Sequence, residues 1–240
     1  MKQLEAKRFL PICTDTKVAV PRSVAIQATD LRLSYSETPV LRGISIEIKQ
    51  RSAVAIVGPS GSGKSSLLYC LGGLEAPDSG SVVVDGVDLW QLSDEQRANF
   101  RLRHFGFVFQ SADLVPELTL LENVALPLEL LGDRRKSSVA QAGEVLDMLG
   151  VGSERQRRPA GVSGGQRQRA AVARAVVAGP AVVFADEPTG ALDTHNRGLV
   201  LDLLLKAVQN SGAALVMVTH DREASGSLSQ LFTIRDGQIE

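Results

Sequence analysis

Eight consecutive residues, Gly58, Pro59, Ser60, Gly61, Ser62, Gly63, Lys64 and Ser65, satisfy the pattern G-x-x-x-x-G-K-[ST] at every fixed position. Each residue type has a chemical reason to be there. Glycines let the backbone wrap closely round a phosphate with its N–H groups turned inward. A helix starting at Lys64 offers its positive end to the anion. Lys64 adds a mobile charge for β and γ phosphates, and the Ser65 hydroxyl can ligate Mg2+. Ser66 is expected among the nucleotide contacts as well. A Gly/Ser turn joining a strand to a helix is the plain alternative for the same residues.

Two further groups invite the same kind of chemistry. Asp186, Glu187 and Pro188 follow the apolar run Ala181–Ala185. An acidic pair at the carboxyl end of a buried strand lies where parallel sheets bind ligands. Asp186 is expected to hold Mg2+, directly or through water, and Glu187 to polarise an attacking water as general base. Taken alone, Asp-Glu-Pro reads as a solvated turn. Ser163, Gly164, Gly165 and Gln166 open an Ala-rich helix running to about Ala178. Ser163 and Gln166 have the spacing of an ordinary capping box. Two glycines weaken a first helical turn, yet make sense where a bulky anion approaches the backbone. Two phosphate sites about 100 residues apart in one chain suggest a nucleotide sandwiched between two copies.

The elements that position these groups follow from hydrophobic periodicity. Val24, Ile26 and Ala28 alternate with polar residues, as do Ile44, Ile46 and Ile48, which predicts half-buried strands. The continuous apolar runs Ala53–Val57, Ala181–Ala185 and Ala214–Val218 predict buried central strands. Val82–Val84 before Asp85-Gly86 predicts a strand and turn, and Leu231–Ile239 a hairpin about Asp236-Gly237. Ser93 with Gln96 and Thr119 with Glu122 have capping-box spacing. Val139, Ala142, Val145, Leu146 and Leu149 follow the helical period, as does the set from Leu199 to Val208. Buried strands alternating with helices predict an α/β fold with a largely parallel sheet. Residues 1 to about 22 read as an N-terminal extension.

Composition narrows the partners. The chain has 240 residues, and 26 Lys+Arg against 27 Asp+Glu leave a net charge of −1. That balance implies no general attraction to nucleic acid, and aromatics at 4% supply no base-stacking platform, so no nucleic acid partner is expected. Two cysteines, Cys13 and Cys70, make no disulfide framework. No apolar stretch approaches the ~20 residues that span a bilayer, and the first residues lack the apolar block of a secretory signal. A cytosolic protein is expected. The basic groups at 134–136 and 155–158 read as a solvated face, with contact to anionic lipid beside a membrane as the sharper alternative. His104 and His195 have no metal-ligand spacing, and Trp90 reads as packing.

Taken in this order and spacing, the loop Gly58–Ser65, the Ser163–Gln166 segment and the Asp186-Glu187 pair resemble the ATPase subunits of ABC transporters, over residues 24 to 240. The resemblance implies an ATPase using ATP and Mg2+. It implies a P-loop NTPase core with a mixed, largely parallel sheet and an N-terminal antiparallel β layer, with an α-helical subdomain inserted at about 111–160. It carries further roles. Gln110, after the strand Phe105–Phe109, matches the glutamine that senses Mg2+ and water and faces the membrane partner. His220 matches the histidine that contacts the γ phosphate, joining Glu187 and Lys64 as catalytic groups. Asp193 matches the loop linking the two active sites, and Tyr35 the aromatic that stacks on adenine. Without the resemblance, Gln110 reads as a surface residue, His220 as a satisfied core or surface histidine, Asp193 as a helix N-terminal acid and Tyr35 as a strand residue. Val162 stands where the family usually has Leu, a position that should pack.

The implied partners are a second copy of the chain and an integral membrane permease that holds it at the inner face of the plasma membrane. The wording around Gly58–Leu68, Gly106–Gln110 and Ala185–Asp193 is similar to lipoprotein-release and macrolide-export ATPases. Mechanical control of cell-wall enzymes, a soluble ABC-type ATPase of DNA repair or translation, and a small-molecule kinase are the rival readings.

Overall fold

The computed structural model describes residues 24–220 and 228–240; the N-terminal extension expected at 1–22, with Cys13, lies outside the described residues. The chain opens with β1 (Val24–Tyr35) and β2 (Thr38–Lys49), which pair antiparallel with Ile26 opposite Ile48 and Ala28 opposite Ile46. Their alternation buries one face and exposes the other, as a period of two requires. β3 (Ala53–Val57) leads through a loop into α1 (Lys64–Leu71). β4 (Ser79–Val84) and β5 (Val87–Asp88) return to the first pair, giving an antiparallel sheet of order β2-β1-β4-β5.

The second sheet is assembled from distant segments. After α2 (Asp94–His104) and β6 (Phe105–Val108) come α3 (Leu120–Leu130), α4 (Arg135–Met148) and α5 (Gly164–Val176). Then follow β7 (Val182–Asp186), α6 (Thr194–Ser211), β8 (Ala214–Val218), β9 (Gln230–Arg235) and β10 (Gln238–Ile239). Among the described residues the sheet order is β10-β9-β3-β8-β7-β6, parallel from β9 to β6 with β10 antiparallel at the edge. Every residue of β7 and β8 is buried, because elements cover both faces of these strands.

Two apolar cores follow from that layering. Val182 and Phe184 of β7 face the antiparallel sheet and α1, joining Ile26, Leu31, Ile56 and Leu67. Val183 and Ala185 face the other way, joining Leu120 and Val124 of α3, Leu146 of α4, Val172 of α5 and Leu204 of α6. Truncating a fully buried ring such as Phe184 to Ala costs about 3–5 kcal/mol by transfer and cavity terms.

Helices α2 and α3 start where the sequence signals place them. Ser93 and Thr119 make both bonds of their capping boxes, at the starts of α2 and α3. The fully buried Asn123 accepts from the N–H of Val115 and donates to the carbonyls of Val115, Leu118 and Thr119. That ties the approach loop to α3 and leaves the amide satisfied, as burial demands. Among the described residues no helix is long and apolar enough to cross a membrane.

Candidate active site

The carboxyl ends of β3, β8 and β7 are neighbours, and the loops leaving them carry the predicted chemistry. The phosphate loop leaves β3 across β9. A Cβ on Gly58 would lie 2.1 Å from the Ile234 carbonyl oxygen, so only glycine lets the loop pass there. α1 begins after Gly63, which sits in the left-handed region at φ 99° and supplies no side-chain cap. The helix therefore presents its first N–H groups to whatever occupies the loop. Lys64 is buried and folds back, its Nζ donating to the Pro59 carbonyl at 2.7 Å. Ser62 Oγ is buried without a hydrogen-bond partner, a deficit that a phosphate oxygen would relieve.

The acidic pair meets this loop. Ser65 Oγ donates to Asp186 Oδ1 at 3.0 Å, and Tyr69 Oη donates to Asp186 Oδ2 at 2.7 Å. Burial first, then the bond to Asp186, push the Tyr69 phenol well above its ordinary pKa and keep it a donor. β7 runs one residue further than the apolar run, so Asp186 is its last residue. Glu187 then turns sharply, with φ 47°. A bulky residue holds that conformation only when its surroundings impose it. Here its N–H donates to Val218 O of β8 at 3.0 Å, and its own carbonyl accepts from Gly190 N at 2.9 Å. The Glu187 carboxylate, its side chain 19% exposed, faces His220 Nδ1 at 2.9 Å, and His220 is 67% exposed at the mouth. Gln110, just past β6, lays its amide 2.8 Å from where a Cβ on Gly190 would project, against the same acidic turn.

Tyr35 stands at the end of β1, half exposed, with its hydroxyl 3.1 Å from Ser66 Oγ and donating to Glu75 at 2.8 Å. It thus borders the loop on the α1 side.

The Ser163–Gln166 segment forms a second group with the start of α6. Ser163 Oγ accepts from Gln166 N at 3.3 Å, and Gln166 Oε1 accepts from Ser163 N at 2.9 Å, so the capping box is complete. A Cβ on Gly165 would lie 2.7 Å from Asn196 Oδ1. Asn196 in turn donates to Asp193 through its backbone N at 3.0 Å and its amide at 2.7 Å, making Asp193 the cap of α6. The sequence reading assigned both glycines to an approaching anion; Gly165 is also required by the packing of α5 on α6. Gly164 has ordinary room, with Leu192 Cδ2 nearest at 3.6 Å. Val162 is buried in the core that α3, α4, α5 and α6 form against the parallel sheet, as packing at that position requires.

Three contributors escaped the sequence reading: Tyr69, Asn196 and Gln168. The buried Gln168 donates to the Phe109 carbonyl at 2.9 Å, next to Gln110. Only Tyr69 had a local signal, its spacing of four from Ser65 on a predicted helix.

Comparison with known proteins gives one consistent answer. The family model described as ABC transporter matches residues 41–190. The lipoprotein-releasing system ATP-binding protein LolD of Alcanivorax borkumensis is 42% identical over 218 residues, covering 89% of this chain and 96% of that protein. LolD of Bordetella pertussis is 43% identical over 220 residues, covering 90% and 95%. Among solved structures, the dimeric post-hydrolysis state of the ATP-binding cassette MJ0796 bound to ADP and Pi aligns with a TM-score of 0.83 at 34% identity, covering 90% of this chain and 96% of that one.

Proposed function

The chain belongs to the ABC transporter family and is an ATP-binding cassette ATPase; from that premise we propose that it powers a lipoprotein-release type transporter, two copies closing on two MgATP and driving a separate integral membrane permease from the cytoplasmic face. The observation that carries the reading is the meeting of three loops on one crest, with Ser65 on Asp186 at 3.0 Å and His220 on Glu187 at 2.9 Å.

In this reading residues 23–240 are the ATPase domain, with a helical subdomain at about 111–160, and residues 1–22 are an extension. Gly58–Ser66 hold the phosphates, with Lys64 released from Pro59 onto the β and γ oxygens. The ring of Tyr35 takes the adenine. A hydroxyl, a carboxylate and the Gln110 amide form a hard-oxygen donor set that fits Mg2+, which is bound through one or two carboxylates with waters and substrate phosphates rather than by an all-protein cage. Ser65, Asp186 and Gln110 would hold it, and it would supply charge neutralisation at the β and γ oxygens. Glu187 Oε accepts the proton of the attacking water, while His220 positions that carboxylate and turns to the γ phosphate. Ser163, Gly164, Gly165 and Gln166 of the second copy close over the phosphate, and Asp193 links the two sites. The donors converge on charge that develops in the transition state, where preorganised dipoles act most strongly. Gln110 and the lobe pass closure to the permease.

The test is a tagged Glu187→Gln chain extracted from membranes in detergent with MgATP. Removal of the general base should lower turnover by about 10²- to 10⁴-fold while a dimer accumulates with an integral membrane protein attached. Recovery of a monomer with no membrane protein would refute the proposal.

A further inference from the structure

We propose that Tyr69 is a positioning residue for the metal-bearing end of the site: its phenol fixes the Asp186 carboxylate in the orientation that keeps Oδ1 beside the Ser65 hydroxyl. The inference rests on the reading of Ser65 and Asp186 as Mg2+ ligands given above. Ser65 and Tyr69 lie four residues apart on α1, so their side chains share one helix face. Both hydroxyls reach one carboxylate, Ser65 at Oδ1 over 3.0 Å and Tyr69 at Oδ2 over 2.7 Å. The last torsion of an aspartate is broad and roughly two-fold, so a carboxylate held at one oxygen still rocks. Tied at both, it does not.

The phenol is itself braced. Tyr69 lies against Phe109 with ring centroids 6.4 Å apart, Phe109 stacks on Phe107 at 5.8 Å and 3°, and Phe107 stacks on Phe184 at 5.4 Å and 17°. Phe184 is fully buried in β7, two residues ahead of Asp186. A row of rings thus runs from the strand that carries Asp186, through the residue before Gln110, to the helix that carries Ser65. Hydrogen bonds of this outer kind orient ligating carboxylates, and losing one weakens metal binding by about 10- to 100-fold.

The test uses the full chain with ADP, and Mn2+ as a paramagnetic stand-in for Mg2+. Tyr69→Phe deletes the hydroxyl and keeps the ring on Phe109. Free Mn2+ is followed by EPR during titration of the protein–ADP complex. The variant should bind Mn2+ about tenfold more weakly than the wild type, with ADP affinity in EDTA unchanged. Equal Mn2+ binding in variant and wild type overturns the inference. So does a fall in ADP affinity in EDTA as large as the fall with Mn2+, the mark of a packing role alone. If the Phe variant does not fold, Tyr69→Leu, which keeps an apolar side chain and carries neither a donor nor a metal ligand, gives the same comparison. A wild-type chain that takes up no Mn2+ with ADP removes the ligand reading and this inference together, whereas Mn2+ uptake by the wild type that the variant equals removes the inference alone.

Discussion

The two helix starts, α1 and α5, answer the same physical problem in opposite ways. Every helix begins with N–H groups that lack intrahelical acceptors. α5 satisfies its own: Ser163 and Gln166 complete both bonds of a capping box, at an exposed position. α1 does not: Gly63 offers no side chain, Lys64 is buried, and Ser62 Oγ lacks a partner. A start left open and surrounded by its own chain is prepared for a ligand from that chain's cleft. A start that caps itself and faces outward is stable alone, and its Ser163 oxygen, already accepting from Gln166 N, has its proton left to donate outward. Under the proposed function the contrast divides the labour: α1 would bind in one copy and α5 would act across to the other.

Lys64→Ala should break the α1 side hardest. A charge-assisted hydrogen bond to phosphate contributes about 1.5–3 kcal/mol, so ATP affinity of a single copy should fall on the order of 10- to 100-fold. Equilibrium binding of a fluorescent ATP analogue measures it. Affinity equal to wild type would mean that the loop is not where the nucleotide binds.

Ser163→Ala should leave that single-copy affinity intact and instead prevent MgATP-dependent dimerisation, with turnover falling in step. Loss of the cap alone costs about 1 kcal/mol, seen as about 2–4 °C in Tm for a chain of this size. Light scattering with MgATP separates the two effects. A variant that loses ATP affinity as a monomer would show α5 serving its own copy, and the division of labour would fail.

The sequence revealed what is encoded locally. The glycine-rich turn between a strand and a helix, the three capping boxes and the buried strands are each patterns of neighbouring residues, and each stands within about one residue of where the pattern puts it. What it concealed are meetings between distant segments. Ser65 and Asp186 are 121 residues apart, and Tyr69 and Asp186 are 117 apart. Those meetings depend on β8 lying between β3 and β7, a strand order no local pattern states. Glu187 shows the same limit: its left-handed backbone is imposed by β8 through Val218 O, not by its own residue type. Gly165 suggests only room for an anion in the sequence because Asn196, the neighbour that needs the room, comes later in the chain.

The finest distinction lies inside α5, between its two glycines. Both sit in the first helical turn, and replacing either with Ala should gain up to about 1 kcal/mol of helix propensity. At Gly164 nothing opposes that gain, since the nearest atom to a new Cβ is Leu192 Cδ2 at 3.6 Å. At Gly165 the new Cβ would meet Asn196 Oδ1 at 2.7 Å and push it off, straining the amide that bonds Asp193 at 2.7 Å. Gly164→Ala should therefore raise Tm slightly in the absence of nucleotide, while Gly165→Ala should leave it level or lower. With MgATP both should dimerise less well, Gly164→Ala because its methyl would narrow the room for the partner's phosphate and Gly165→Ala because its methyl displaces Asn196 from the start of α6. A Gly164→Ala protein that is both more stable and fully competent to dimerise would show that the first glycine makes no room for an anion, leaving Ser163 as the only part of this turn that reaches across.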